Sequence, residues 1–179
     1  MAQFKSFAPN VEVKGGVVLS FVEGLGAFRT MAYNILAQYG IANPVEEQWY
    51  PQQAYLDAVK AISEKVGKTT LKQIGKHIPE LAAWPPDVDT VDKALNSIDV
   101  AYHMNHRGGD IGYYRFEKTG VNSGKVICHN PYACGFDHGL IEATARKFAP
   151  AGVAVTVRHD DSTTCRQNGA DTCTYTVKW

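Results

Sequence analysis

The last eight residues of the chain alternate without a break: Cys173, Tyr175, Val177 and Trp179 fall on one side, Thr172, Thr174, Thr176 and Lys178 on the other. A period of two is the mark of a strand with one buried and one wet face, and it suits an antiparallel sheet. Any fold for this chain must therefore give that strand an apolar layer to lie on. With 179 residues, 45% hydrophobic and 11% aromatic, the chain has the material for such a layer, which excludes intrinsic disorder. Eighteen basic and eighteen acidic residues cancel, so no electrostatic footprint for nucleic acid is present. Four cysteines are too few for a scaffold built on disulfides.

The pattern changes near Trp84-Pro85-Pro86. Before it, apolar residues recur every three or four positions. Val18, Val22, Leu25, Phe28, Ala32, Ile35 and Tyr39 predict a first helix over Val17–Tyr39, which Gly24 and Gly26 weaken or break. Tyr55, Val59, Ile62 and Val66 predict a second from Pro51 to Gly67, and Leu71, Ile74 and Ile78 a third, short one that Pro79 closes. Thr90 is placed to cap a fourth, through Ile98. After it, Val100, Tyr102 and Met104 alternate with Ala101, His103 and Asn105 as a strand would, and Arg107-Gly108-Gly109-Asp110 reads as a hairpin turn. Ile111–Lys118, Lys125–His129 and the alternating valines Val153, Val155 and Val157 give further strands, with a helix from about Asp137 between them. The expectation is one α+β domain: a helical part over residues 1–98, then a mostly antiparallel sheet of about five strands with one inserted helix over 99–179.

The most apolar stretch, Val17–Ala37, is interrupted by Glu23, Arg29 and Asn34, so it does not read as a membrane span. Met1–Asn10 lacks the order of a signal peptide. A cytoplasmic protein is expected.

Three cysteines fall where the backbone changes direction. Cys134 precedes the Asp137 helix, Cys165 lies in a polar connection, and Cys173 opens the last strand. Three convergent thiolates on element ends would make a soft-ligand site suited to zinc. The plain alternative is packing, because free cysteine is among the most buried residue types.

The stretch Cys165-Arg166-Gln167-Asn168-Gly169-Ala170-Asp171-Thr172-Cys173, with the strand to Trp179 and the helix entry Cys134-Gly135-Phe136-Asp137-His138-Gly139-Leu140, resembles the vinyl-4-reductase domain family. Its superfamily includes the sensor domains of aromatic-responsive transcription activators and shares its fold with haem nitric-oxide/oxygen-binding domains. The resemblance implies a zinc ion held by Cys134, Cys165 and Cys173 beside a ligand pocket. The family's fourth ligand, a carboxylate three residues before the first of the paired cysteines, is here Ser162; Asp161 is the nearest substitute, with His159, Cys128 and His129 as others.

Haem is set aside at this stage. The relatives' tyrosine-serine-arginine signature is missing, and their axial histidine lies on a helix, whereas His103 and His106 fall on the strand expected over residues 100–105 and the turn after it. A cysteine-centred or metal-dependent enzyme, with His129 or His138 serving Cys134, is a rival reading. The aromatic residues Phe28, Tyr33, Trp49, Tyr55, Trp84, Tyr114 and Phe116 are the expected wall of the pocket for a small apolar or aromatic ligand. No output module accompanies them, so such a sensor would signal through a separate protein or a homodimer, with the apolar first helix as interface.

Overall fold

The structure is a computed structural model and describes residues 3–160 and 165–179. It opens with β1 (Glu12–Lys14), which feeds straight into α1 (Gly15–Gly24). The helix expected to run on to Tyr39 stops here. Gly26 takes a left-handed φ of 50°, a 3-10 turn follows, and a separate α2 (Arg29–Gln38) begins. The break rotates the apolar stripe, so Val18, Val22, Ala32 and Ile35 are buried but Phe28 and Tyr39 face water. The apolar face of α1, Val17, Val18, Phe21 and Val22, is buried in the chain's own core.

After β2 (Trp49–Pro51) come α3 (Gln52–Val66) and α4 (Thr69–Leu81). Tyr55, Val59 and Ile62 of α3 are inward as their spacing demands. α4 runs past Pro79 instead of ending at it. Proline removes one donor and clashes with the carbonyl four residues back; only Glu80 and Leu81 of the helix lie beyond it. The freed end is held from outside, where Lys147 Nζ donates to the Pro79 carbonyl at 2.7 Å.

The largest departure from the sequence reading is α5 (Val91–Met104). Thr90 caps it as expected, its Oγ1 accepting from the Lys93 N–H. The helix then continues to Met104, over nearly all of the segment 100–105, read from its alternation as a strand. Val91, Leu95, Ile98 and Tyr102 also keep a helical spacing, and all four are buried. Two periods coexist in those residues, and packing chose the helical one.

β3 (His106–Arg107) follows, and pairs with β1, which also pairs with β2: Val13 lies opposite both His106 and Tyr50. This three-stranded sheet was not visible in the sequence, since each strand is only two or three residues long. The second sheet has the order β4 (Tyr113–Gly120), β5 (Ser123–His129), β7 (Cys173–Lys178), β6 (Thr156–His159), antiparallel throughout. Cys173, Tyr175 and Val177 of β7 are fully buried. Between β5 and β6 runs α6 (Cys134–Phe148). It starts at Cys134, so Asp137 sits in its first turn and is not its cap. The class is α+β, as expected, with two small sheets where one of about five strands was anticipated.

α4 and α6 cross closely because glycine lines the crossing. A Cβ on Gly75 would lie 2.1 Å from the Phe136 carbonyl oxygen, and one on Gly139 2.1 Å from that of Lys72. Glu142 of α6, nearly buried, receives Lys72 at 2.6 Å and Arg146 at 2.9 Å. The crossing fixes where α6 begins, and so where Cys134 stands.

Candidate functional site: a thiol cluster beside a closed aromatic hollow

Cys134, Cys165 and Cys173 meet. Their sulfurs are 3.5 Å (134–165), 3.3 Å (134–173) and 3.6 Å (165–173) apart. Each comes from a different place: the first residue of α6, the entry to a 3-10 turn at Arg166–Asn168, and the start of β7. His159, the last residue of β6, brings a ring nitrogen to the same point, and the four ligand atoms lie within 4.8 Å of one another. The sheet register does this, since His159 pairs with Tyr175, two residues along β7 from Cys173. Asp161, expected as a ligand, lies outside the described residues, as does Ser162.

The thiols are unequal. Cys173 is held below the ordinary thiol value, first by the thiol hydrogen bond from Cys134, and then by Arg166, whose backbone N–H points at its sulfur. Cys134 is pushed up by the same bond and by burial. Three cysteine sulfurs on one concave spot, with an imidazole, form a soft N/S donor set of the kind that holds a tetrahedral ion. Cys128, one of the substitutes offered for the fourth ligand, is buried in the core beside this group without joining it.

The enzyme reading gains no geometry. Cys134 Sγ meets Gln3 and the other two thiols. His129 bonds to the Asp171 carbonyl and stacks on Tyr113, and His138 faces Lys72 and Glu142.

A second feature lies across α6. A hollow of about 30 Å³ is lined by Val17, Ile78, Trp84, Ile98, Tyr102, Asn105, His106, Tyr114, Tyr132, Phe136 and Leu140 among others. Of the seven residues expected to line a pocket, Trp84 and Tyr114 do so. Phe28 and Tyr33 are exposed because the helix broke before them. Trp49 lies under the Arg107 guanidinium on the outer sheet. Tyr55 is buried with its hydroxyl on the Val17 carbonyl, and Phe116 packs against the core elsewhere.

The residue that sequence reasoning weighed as a haem ligand and set aside is His106, read there as part of a turn. Pairing of β3 with β1 draws it inside, where it is 6% exposed. Nδ1 is 2.8 Å from the Tyr102 carbonyl and Nε2 2.6 Å from the Tyr132 hydroxyl. A carbonyl only accepts, so Nδ1 carries the proton and Nε2 the lone pair, which accepts the Tyr132 O–H. Burial lowers this histidine from 6.5 to about 4, so the ring is neutral at pH 7. The ring is held edge-on between Tyr102 and Tyr132, and Tyr132 stacks on Phe136 at 4.6 Å. No signal in the sequence marks His106, except that it is the histidine nearest a glycine turn.

No protein-family model matches this sequence, and no curated protein is similar to it. Solved structures are. The fold is the one found in H-NOX proteins. An H-NOX protein from S. oneidensis, solved in the Fe(II) state, superposes with a TM-score of 0.69 at 16% identity over 92% of this chain and 95% of its own. A mutant H-NOX protein from K. algicida, Fe(II) unliganded, gives 0.62 at 14% identity over 92% and 95%. A structure from work on heme redox potential and porphyrin distortion gives 0.63 at 12% identity over 93% and 94%. These likenesses establish the fold.

They also correct the ranking of cofactors drawn from the sequence, which placed zinc first and set haem aside. The proteins of like fold are haem proteins, and one ground used against haem has gone: residues 100–104 are the end of a helix and not a strand. His103, on that helix, is no candidate, being half exposed and bonded to the Asp99 carbonyl. His106 is. Its Nε2 lone pair and carbonyl-held Nδ1 are those of an iron-ligating imidazole. The donor fits and the space does not. A cavity of about 150 Å³ is what it takes to hold benzene, so a hollow of about 30 Å³ is closed to a macrocycle in this arrangement of side chains.

Proposed function

We propose that the chain is a sensor domain whose sensing pocket is the hollow at His106, with a metal-binding thiol cluster at the far side of α6. The observation that carries the reading is the buried, neutral histidine in an aromatic-walled hollow of an H-NOX-like fold. The comparisons favour a haem-type gas sensor. His106, through Nε2, would hold the haem iron, with its ring oriented by the Tyr102 carbonyl at Nδ1. Tyr132, which bonds to Nε2 and stacks on Phe136, would have to give up that bond for His106 to hold an iron. Haem would supply there an iron able to bind a diatomic gas.

A second reading rests on the hollow as it stands, and on the likeness of Cys165–Trp179 to vinyl-4-reductase sensors. There the pocket takes a small aromatic or apolar ligand directly. A polar contact is available in the Trp84 indole N–H, buried and without a hydrogen-bond partner. In either form the state of the pocket would be passed to a second copy of the chain or to a separate output protein.

Hemin titration of the purified protein, reduced and followed by visible absorption, separates the two. The haem reading expects an intense Soret band that saturates at one equivalent and is lost in His106→Ala. A folded protein that takes up no hemin overturns it and leaves the direct-ligand form.

A further inference from the structure

We propose that the buried pair Arg166–Asp137 couples the thiol cluster to the His106 hollow, so that a metal ion on the cysteines reshapes the hollow. This rests on the reading that the cluster takes a metal. Arg166 follows Cys165 directly, and its backbone N–H reaches Cys173 Sγ at 3.3 Å. Its guanidinium, with the side chain 1% exposed, clamps the Asp137 carboxylate and the carbonyl and side chain of Asn130. Asp137 stands one turn along α6 from Cys134 and accepts the Tyr114 hydroxyl at 2.7 Å. Asn130 accepts the Tyr132 N–H at 2.9 Å, and the Tyr132 hydroxyl meets His106. Tyr114, Tyr132 and His106 are walls of the hollow. The bonds run unbroken between the two places, and every group in them is buried.

Such a route transmits because it cannot yield one link at a time. Moving Arg166 alone would leave a charge unpaired in an apolar interior, so its partners move with it. Metal binding supplies the movement. Sulfurs on a tetrahedral ion at the usual metal–sulfur distance stand about 3.8 Å apart, whereas these are 3.3–3.6 Å apart. The ion therefore spreads Cys134, Cys165 and Cys173, and Arg166 is tied to the last two. By linkage, occupancy of the hollow changes metal affinity by the same factor.

The test uses cadmium ion as probe and Trp84 as reporter, in a Trp49→Phe, Trp179→Phe background. The cadmium–thiolate absorbance reports binding, and Trp84 emission reports the hollow. The expected result is a change in Trp84 emission with the same midpoint as the absorbance. Tyr114→Phe, which removes one hydroxyl, should leave the absorbance titration in place and cut the emission change by more than half. A saturating absorbance band with silent Trp84 emission overturns the coupling, as does a Tyr114→Phe response equal to that of the background protein. Absence of the band in folded protein overturns the metal reading, and the coupling with it.

Discussion

At His106, burial sets a pH dependence that belongs to one side chain. The ring is lowered from 6.5 to about 4, burial being the largest cause, while the bond to the Tyr102 carbonyl opposes it. In the unfolded chain the same ring titrates near its ordinary value. Between the two values the unfolded state binds more protons, so stability falls as pH drops through that window and is unaffected above it. From pH 7 to pH 5 the expected loss from this group is about 2 kcal/mol. Urea midpoints at the two pH values measure it. His106→Gln, uncharged throughout, should show a smaller loss by that amount, and an unchanged slope would contradict the assignment. Sequence reasoning could not single out this residue, because what makes His106 special is the strand pairing that buries it.

Among the elements, the α4–α6 crossing holds the site in place, and two glycines set its distance. Gly75→Ala and Gly139→Ala each drive a methyl to within 2.1 Å of a backbone carbonyl oxygen. Backbone cannot rotate away as a side chain would, so each should destabilise the fold by about 2–3 kcal/mol. Chemical denaturation checks this, and a cost below that of an exposed helical Gly→Ala change would refute the close approach. The glycines were in plain view in the sequence, but what they face was not. The same holds for residues 100–105, where alternation and helical spacing overlap. The strand reading followed the shorter period, and burial of Ile98 and Tyr102 against the core decided for the helix.

For the molecule as a whole, the four clustered side chains come from elements that the chain order keeps apart: the start of α6, the end of β6, the turn before β7 and the start of β7. An ion that binds only the folded arrangement adds stability by mass action, about 2.7 kcal/mol at a hundred times its dissociation constant. Thermal melts with and without cadmium or zinc ion should show that gain, and Cys165→Ser should abolish most of it. No shift with either ion would argue that the cluster is only packed thiols. Among the described residues no helix is long and apolar enough to cross a membrane. What the sequence by itself determined is local in origin. The period-two run gave β7 and its buried face, the spacing of apolar residues gave α3 and the start of α5, and the cysteines stood out by their chemistry and their places at element ends. Only the tertiary structure decided that His159 joins them, that His106 is inside, and that Trp84 and Tyr114 share a hollow while Phe28 and Tyr33 face water. Those facts come from strand register and helix crossing, which join residues far apart in the chain and leave no period behind for a sequence to show.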